Sequence, residues 1–193
     1  DGPGEAVARE IEAAGGRALY LHADVRDLAQ LQAAADACAR QLPRVDILFN
    51  NAGRVLRRSF EETDAAGWTD MLRTNLDSVF LCSQAFLPLL KRSTCGAIIN
   101  HASVDATLGN PTIAAYSAAK GGVVPFTHVM AHDLGKYGIR VNTLSTGNIP
   151  TALSGPGQEN AANARTAVTP LARPGRPEEA AHAALFLASD WAS

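Results

Sequence analysis

Short apolar runs that alternate with longer segments of helical periodicity constrain this chain more than any other feature. The runs fall at 18–22 (Ala-Leu-Tyr-Leu-His), 45–49 (Val-Asp-Ile-Leu-Phe), 97–100 (Ala-Ile-Ile-Asn) and 140–144 (Arg-Val-Asn-Thr-Leu). Helical spacing occupies the intervals. It runs from Ala6 through Ile11, over 28–42 behind an N-cap at Asp27, and from near Asp64 with Trp68, Leu72, Asn75, Val79 and Phe86 close to one stripe. It returns over 114–136 and again after Pro177. Gly15 and Gly16 stop the first helix and Pro43 the second, while Pro88 and Pro125 are expected to bend the helices that contain them. Strands joined through helices imply right-handed crossovers, so the expected fold is α/β, a doubly wound parallel sheet covered on both faces. At 193 residues one domain is expected over 1–193, with a ligand-binding loop at 146–164, rich in Gly, Pro, Asn, Ser and Ala, beyond the carboxyl end of a strand.

Composition narrows the function. With 47% hydrophobic and 19% charged residues the chain can bury a core, and a net charge of −2 without a long basic run argues against nucleic acid as a partner. Cys38, Cys82 and Cys95 are odd in number and widely spaced, which points away from a disulfide framework or a Cys-rich zinc site and toward a reducing, cytoplasmic setting. No apolar run reaches the roughly 20 residues of a membrane span. His128 and His132 stand four apart, but no third ligand accompanies them, so no metal site is assigned.

The chemistry gathers around Tyr116 and Lys120, four apart on one helix face. Three tyrosines and three lysines in such a chain would give about 0.05 such pairs by chance, so the pair needs company. Ser103 provides it, thirteen residues upstream and just beyond the strand at 97–100, where a parallel sheet brings its hydroxyl to the same edge. Asn75, within Thr-Asn-Leu-Asp-Ser-Val-Phe, and Asn50-Asn51-Ala52-Gly53, closing the preceding strand, complete the set. Read by residue type alone, Asp24 is a strand-end cap, Asn50 and Asn51 make a turn, and Asn75 is helix filler. Arg54, Arg57 and Arg58 belong to a solvated loop or greet an anionic substrate.

In order and spacing, these motifs resemble the short-chain dehydrogenases/reductases, as do Asp24-Val25 and the Arg173-Pro-Gly-Arg-Pro-Glu-Glu segment. The similarity covers essentially the whole chain. It implies a Rossmann-like domain and an oxidoreductase that moves a hydride between NAD or NADP and a secondary alcohol or ketone. Tyr116 would be the general acid/base, Ser103 would bond the substrate oxygen, and Lys120 would hold the nicotinamide ribose and lower the Tyr116 pKa. Asn75 would position a water in the proton relay. Asn51, Ala52 and Gly53 would pass close to the cofactor, Asp24 and Val25 would meet the adenine, and Gly147 and Ile149 would line the nicotinamide side. The resemblance further implies a homo-oligomer, dimer or tetramer, built on the helices from Asp64 and Ala114.

Elementary electrostatics supports the tyrosine role. A phenol of pKa about 10 needs a shift of roughly 3 units, or about 4 kcal/mol, to work near neutrality. An ammonium about 4 Å away supplies about 4 kcal/mol at an effective dielectric near 20. The pattern departs from the family in three places. The glycine-rich phosphate turn of the first βαβ segment is expected ahead of Asp1, together with the NAD/NADP selector, and the last strand is expected after Ser193. Thr146-Gly147 stands where Pro-Gly is usual. A catalytically silent binding or assembly module and a related epimerase or dehydratase remain as alternatives, disfavoured by the intact Asn-Ser-Tyr-Lys set. Polyols, oxoacyl thioesters and hydroxysteroids all remain open as substrates.

Overall fold

A computed structural model describes residues 2–151 and 169–193. Of the loop read at 146–164, residues 152–164 lie outside the described residues. Three parallel strands, β1 (Ile47–Asn50), β2 (Ala97–Ser103) and β3 (Arg140–Thr146), form a sheet in the order β1-β2-β3. The register sets Asn50 beside Asn100 and Ser103 beside Thr146. The helices are α1 (Pro3–Ala13), α2 (Leu28–Gln41), α3 (Ala65–Leu72), α4 (Ser78–Leu90), the short α5 (Asp105–Leu108), α6 (Ala114–Gly135) and α7 (Pro177–Ala188). Sequence signals account for their ends. Asp27 accepts hydrogen bonds from the Ala29 and Gln30 amides at the start of α2, and Asp64 accepts one from Gly67 at the start of α3. After α1, Gly15 adopts φ +85°, a conformation open to glycine at little cost.

The side chains of alternate strand residues divide the sheet into two faces. Ile98, Met130, Leu90, Ile139 and Val141 form one buried cluster, joining β2 and β3 to α4 and α6. Val79, Ala102 and Val123 continue it toward the carboxyl edge, and Leu31, Ala35 and Ala85 pack α2 onto α4. Burying each large aliphatic side chain of this kind stabilises by about 1.5–3 kcal/mol. A polar chain crosses the apolar layer. Asn50 Nδ2 donates to Asn100 Oδ1 at 2.8 Å and to Ser83 Oγ at 3.1 Å, and Asn100 Nδ2 donates to Thr127 Oγ1 at 2.9 Å. These partners replace the water that the buried amides lose, so the chain fixes the register of β1 on β2 at modest cost.

Two expectations need correction. The run at 18–22 forms no ladder, and Leu19, Tyr20 and Leu21 are exposed. A strand is stabilised by its neighbour, and no described strand lies beside this one. The long helix from Asp64 is interrupted by one π-helical turn, Arg73–Asp77, between α3 and α4. Helices α4 and α6 run on past Pro88 and Pro125 to Leu90 and Gly135. Each proline forfeits one amide donor, an offset that tertiary packing along the helix covers.

At its far end the sheet is fastened to α7 by one side chain. The Arg140 guanidinium donates to the carbonyls of Leu187 (2.9 Å), Ala188 (3.3 Å), Ser189 (3.1 Å) and Ala192 (3.1 Å), at and just beyond the end of α7, where a helix leaves carbonyls without internal partners. Arg140→Met should therefore destabilise the protein by about 1–3 kcal/mol in urea unfolding. Amide exchange should speed up over 177–192 well before it does in β2.

Candidate active site

The carboxyl ends of the three strands deliver the site, as a parallel sheet requires of its ligand-binding edge. Ser103 closes β2, inside the strand rather than just past it, and is buried. Its Oγ accepts from the Asp105 amide at 3.1 Å and lies 3.4 Å from Asp105 Oδ2. Asp105, itself buried, was not singled out in the sequence, where it reads as one more loop carboxylate. Tyr116 sits in the first turn of α6, partly buried, and Lys120 follows one turn on.

Lys120 is the electrostatic centre of the site. It is 4% exposed, and its Nζ donates to the His101 carbonyl at 2.5 Å while standing 6.0 Å from the centroid of the Tyr116 ring. Burial pulls its pKa from 10.5 down to about 8. Near neutrality the lysine is therefore mostly charged, at a cost to the fold.

Asn75 occupies the middle of the π turn and is fully buried. Its amide behaves like a strand edge. Nδ2 donates to the Arg54 carbonyl at 3.0 Å, and Oδ1 accepts the Arg54 amide at 3.2 Å. Nδ2 also donates to the Met71 carbonyl, 3.0 Å away and four residues back, competing with the backbone for that acceptor where the helix widens. The clasp draws the loop after β1 so close that a Cβ on Gly53 would meet Asn75 Oδ1 at 2.8 Å, with Lys120 Nζ 3.6 Å away. Gly53 is thus required by close approach. Asn51, Ala52 and Gly53 are exposed along the same edge, with Gly147 beyond β3; Ile149 is half-buried against Gly175, whose amide donates to the Asn148 carbonyl at 2.9 Å.

The Asp24-Val25 pair lies farther along. Val25 packs on the Leu31–Ala35–Ala85 cluster, and Asp24 is held by Arg26, whose Nη2 is 2.7 Å from Oδ2. Hydrogen bonds from the Arg26 side chain and amide, with its charge, keep the Asp24 carboxyl down at about 2. Of the three arginines after Gly53, Arg54 pairs with Asp70 at 3.0 Å and Arg58 with Asp64 at 3.1 Å. The Arg58 amide also donates to the Thr112 carbonyl at 2.7 Å, tying this loop to the residues that lead into α6. Thr112 sits at φ +67°, a conformation costing a β-branched residue of order 1 kcal/mol or more, just ahead of Tyr116. Among the described residues no three His, Cys, Asp or Glu gather around a common point, and no helix is long and apolar enough to cross a membrane.

The residues present fit a dinucleotide. An uncovered backbone run at the carboxyl edge, a glycine pressed against Asn75 and a buried ammonium facing it offer close approach and positive charge to a bound ribose. Comparison with known proteins agrees. The family model described as Enoyl-(Acyl carrier protein) reductase matches residues 1–193. A 3-oxoacyl-[acyl-carrier-protein] reductase of Synechocystis is 38% identical over 193 residues, covering 96% of this chain and 74% of the relative. A cyclopentanol dehydrogenase of Comamonas testosteroni is 35% identical over 192 residues, covering 98% of this chain and 77% of the relative. A gluconate 5-dehydrogenase from Burkholderia cenocepacia, solved in complex with NADP and tartrate, superposes with a TM-score of 0.89 at 36% identity, covering 95% of this chain and 73% of that one.

The depressed lysine has a measurable consequence. Its folded pKa lies below the unfolded value, so the unfolded chain binds more protons between pH 8 and 10.5. The penalty is fully present below pH 8 and fades as pH rises to 10.5. Lys120→Met should accordingly raise stability by about 1–2 kcal/mol at pH 7 while removing activity, with the gain shrinking toward pH 10 in parallel urea titrations.

Proposed function

The chain belongs to the short-chain dehydrogenase/reductase family, NAD(P)-dependent oxidoreductases, and from that premise we propose that it transfers a hydride between NAD or NADP and a secondary alcohol or ketone, with Tyr116 as general acid/base. The observation that carries this reading is the buried Lys120 ammonium, one helical turn from Tyr116 and fixed on the His101 carbonyl at the carboxyl edge. When bound, the nicotinamide accepts or donates the hydride. The protein's share is a proton and a place to hold oxygen. Tyr116 exchanges its hydroxyl proton with the substrate oxygen, Ser103 holds that same oxygen, and Lys120 stabilises the phenolate form of Tyr116.

Asn75 contributes by position. Its amide bonds Arg54 and Met71 and so holds Gly53 against Lys120, and in the proposed reaction Asn75 also positions a water in the proton relay. Asn51, Ala52, Gly53, Gly147 and Ile149 lie along the path of the nicotinamide half, with Asp24 and Val25 toward the adenine. The names of the three relatives cover an oxoacyl group on acyl carrier protein, a cyclic alcohol and a sugar acid. What these share is an alcohol–carbonyl pair, and that pair is the substrate class proposed for this chain. A single domain over residues 1–193 is proposed to carry that activity.

A homo-oligomer is proposed on the outer side of α3, α4 and α6. Trp68, Phe80 and Val129 are exposed there, and Phe80, Leu76, Leu81 and Phe126 line a cavity of about 560 Å³. Sedimentation of the whole protein should give a dimer or tetramer, and a monomer across the micromolar range would remove this part of the proposal. For the chemistry, Tyr116→Phe should cut kcat by more than about tenfold, a loss above about 1.4 kcal/mol, with dinucleotide binding nearly intact. A variant retaining more than a tenth of kcat would end the acid/base assignment.

A further inference from the structure

His101 lies on central strand β2, two residues before Ser103, with its side chain on the face opposite Asn100. Its ring reaches both flanking strands. Nδ1 lies 2.9 Å from Asn51 Oδ1, one residue beyond β1, and Nε2 lies 2.9 Å from Thr146 Oγ1, the last residue of β3. Its carbonyl is the acceptor for Lys120 Nζ. One residue thus touches all three strand ends and the site lysine. A neutral imidazole suits the place, because Nδ1–H can donate to Asn51 while Nε2 accepts the Thr146 hydroxyl.

We propose that His101 is a positioning residue for the dinucleotide, a clamp that fixes the separation between Asn51-Ala52-Gly53 and Thr146-Gly147, the two backbone segments flanking the nicotinamide half. The proposal rests on the oxidoreductase reading above. The clamp can form in either protonation state, since the Thr146 hydroxyl accepts as readily as it donates, and the surroundings of the ring favour the uncharged one. Burial first, and then the Lys120 charge, pull the His101 pKa from 6.5 to about 4. Lys120 on α6 is the charged group facing the ring, whereas β1 and β3 present Phe49, Asn51 and Thr146. A histidine that merely filled the core would not bond a loop residue on one side and a strand terminus on the other.

The test uses the whole protein, with dinucleotide Kd from NADH and NADPH fluorescence alongside KM and kcat. His101→Leu should raise Kd and KM for the dinucleotide by about tenfold or more, with a smaller fall in kcat, and His101→Gln, whose amide can donate and accept, should recover part of the loss. Thr146→Val removes one hydroxyl and should raise Kd by about threefold. Added to His101→Leu, it should have almost no further effect, because both break the same clamp. Kd within about twofold of wild type in His101→Leu, or fully additive effects of the two substitutions, would overturn the clamp. If His101→Leu fails to fold, Thr146→Val alone decides, and an unchanged Kd in that variant refutes the proposal. Wild-type protein that binds neither NADH nor NADPH would sink the oxidoreductase reading itself, a result distinct from tight binding that ignores these substitutions.

Discussion

The site hangs on a single amide. Asn75 pairs with the backbone of Arg54 as a neighbouring strand would, and through it the loop after β1 is sewn to the helix pair α3–α4. Nearly every other feature of the edge follows from that seam. Gly53 is driven against Asn75, the exposed run from Asn51 is held at the strand ends, and Lys120 finds the far side of Gly53 close to its ammonium. Because Asn75 is buried and its amide engaged on both sides, loss of the clasp would strand polar groups away from water, whereas the other ties of the loop to α3, the Arg54–Asp70 and Arg58–Asp64 ion pairs, are partly exposed.

Lys120 shows the opposite balance. Asn75 satisfies every group it buries, but Lys120 brings a charge into a region where one carbonyl answers three donors. A fold selected for stability alone would place an aliphatic side chain there. A buried cation beside a phenol makes sense as a device for holding negative charge on oxygen, so the destabilising residue is the one that most directly marks the edge as a place where chemistry occurs.

The sequence made some of this legible and hid the rest, for physical reasons. Apolar runs showed β1, β2 and β3 between helices whose own periodicity was visible, although only β2 is buried along most of its length and Ile47 and Phe49 of β1 are exposed. The run at 18–22 carries the same signal, yet a ladder is a property of two segments and cannot be read from one. Tyr116 and Lys120 were legible because i, i+4 spacing guarantees a shared helix face. The π turn was not, since Arg73–Asp77 contains neither glycine nor proline and the side-chain hydrogen bond that accompanies it reaches a loop twenty-one residues back. His101 escaped for the same reason: its partners lie 50 and 45 residues away, and nothing in a histidine between Asn100 and Ala102 announces them.

The π turn also bears on how this chain can change its length. A π-helical turn amounts to one residue more than an α-helix needs, so deleting one residue between 73 and 77 would restore regular helix. The repair would be harmful even though α3 and α4 would keep facing as they do, the wider turn covering in five residues about the rotation that an α-helix covers in four. It would close the gap in the ladder where Asn75 Nδ2 reaches the Met71 carbonyl, and with it would go the clasp on Arg54. Loops of this fold can lengthen or shorten among descendants, but this stretch of helix is held to its residue count, its irregularity preserved by the clasp that depends on it.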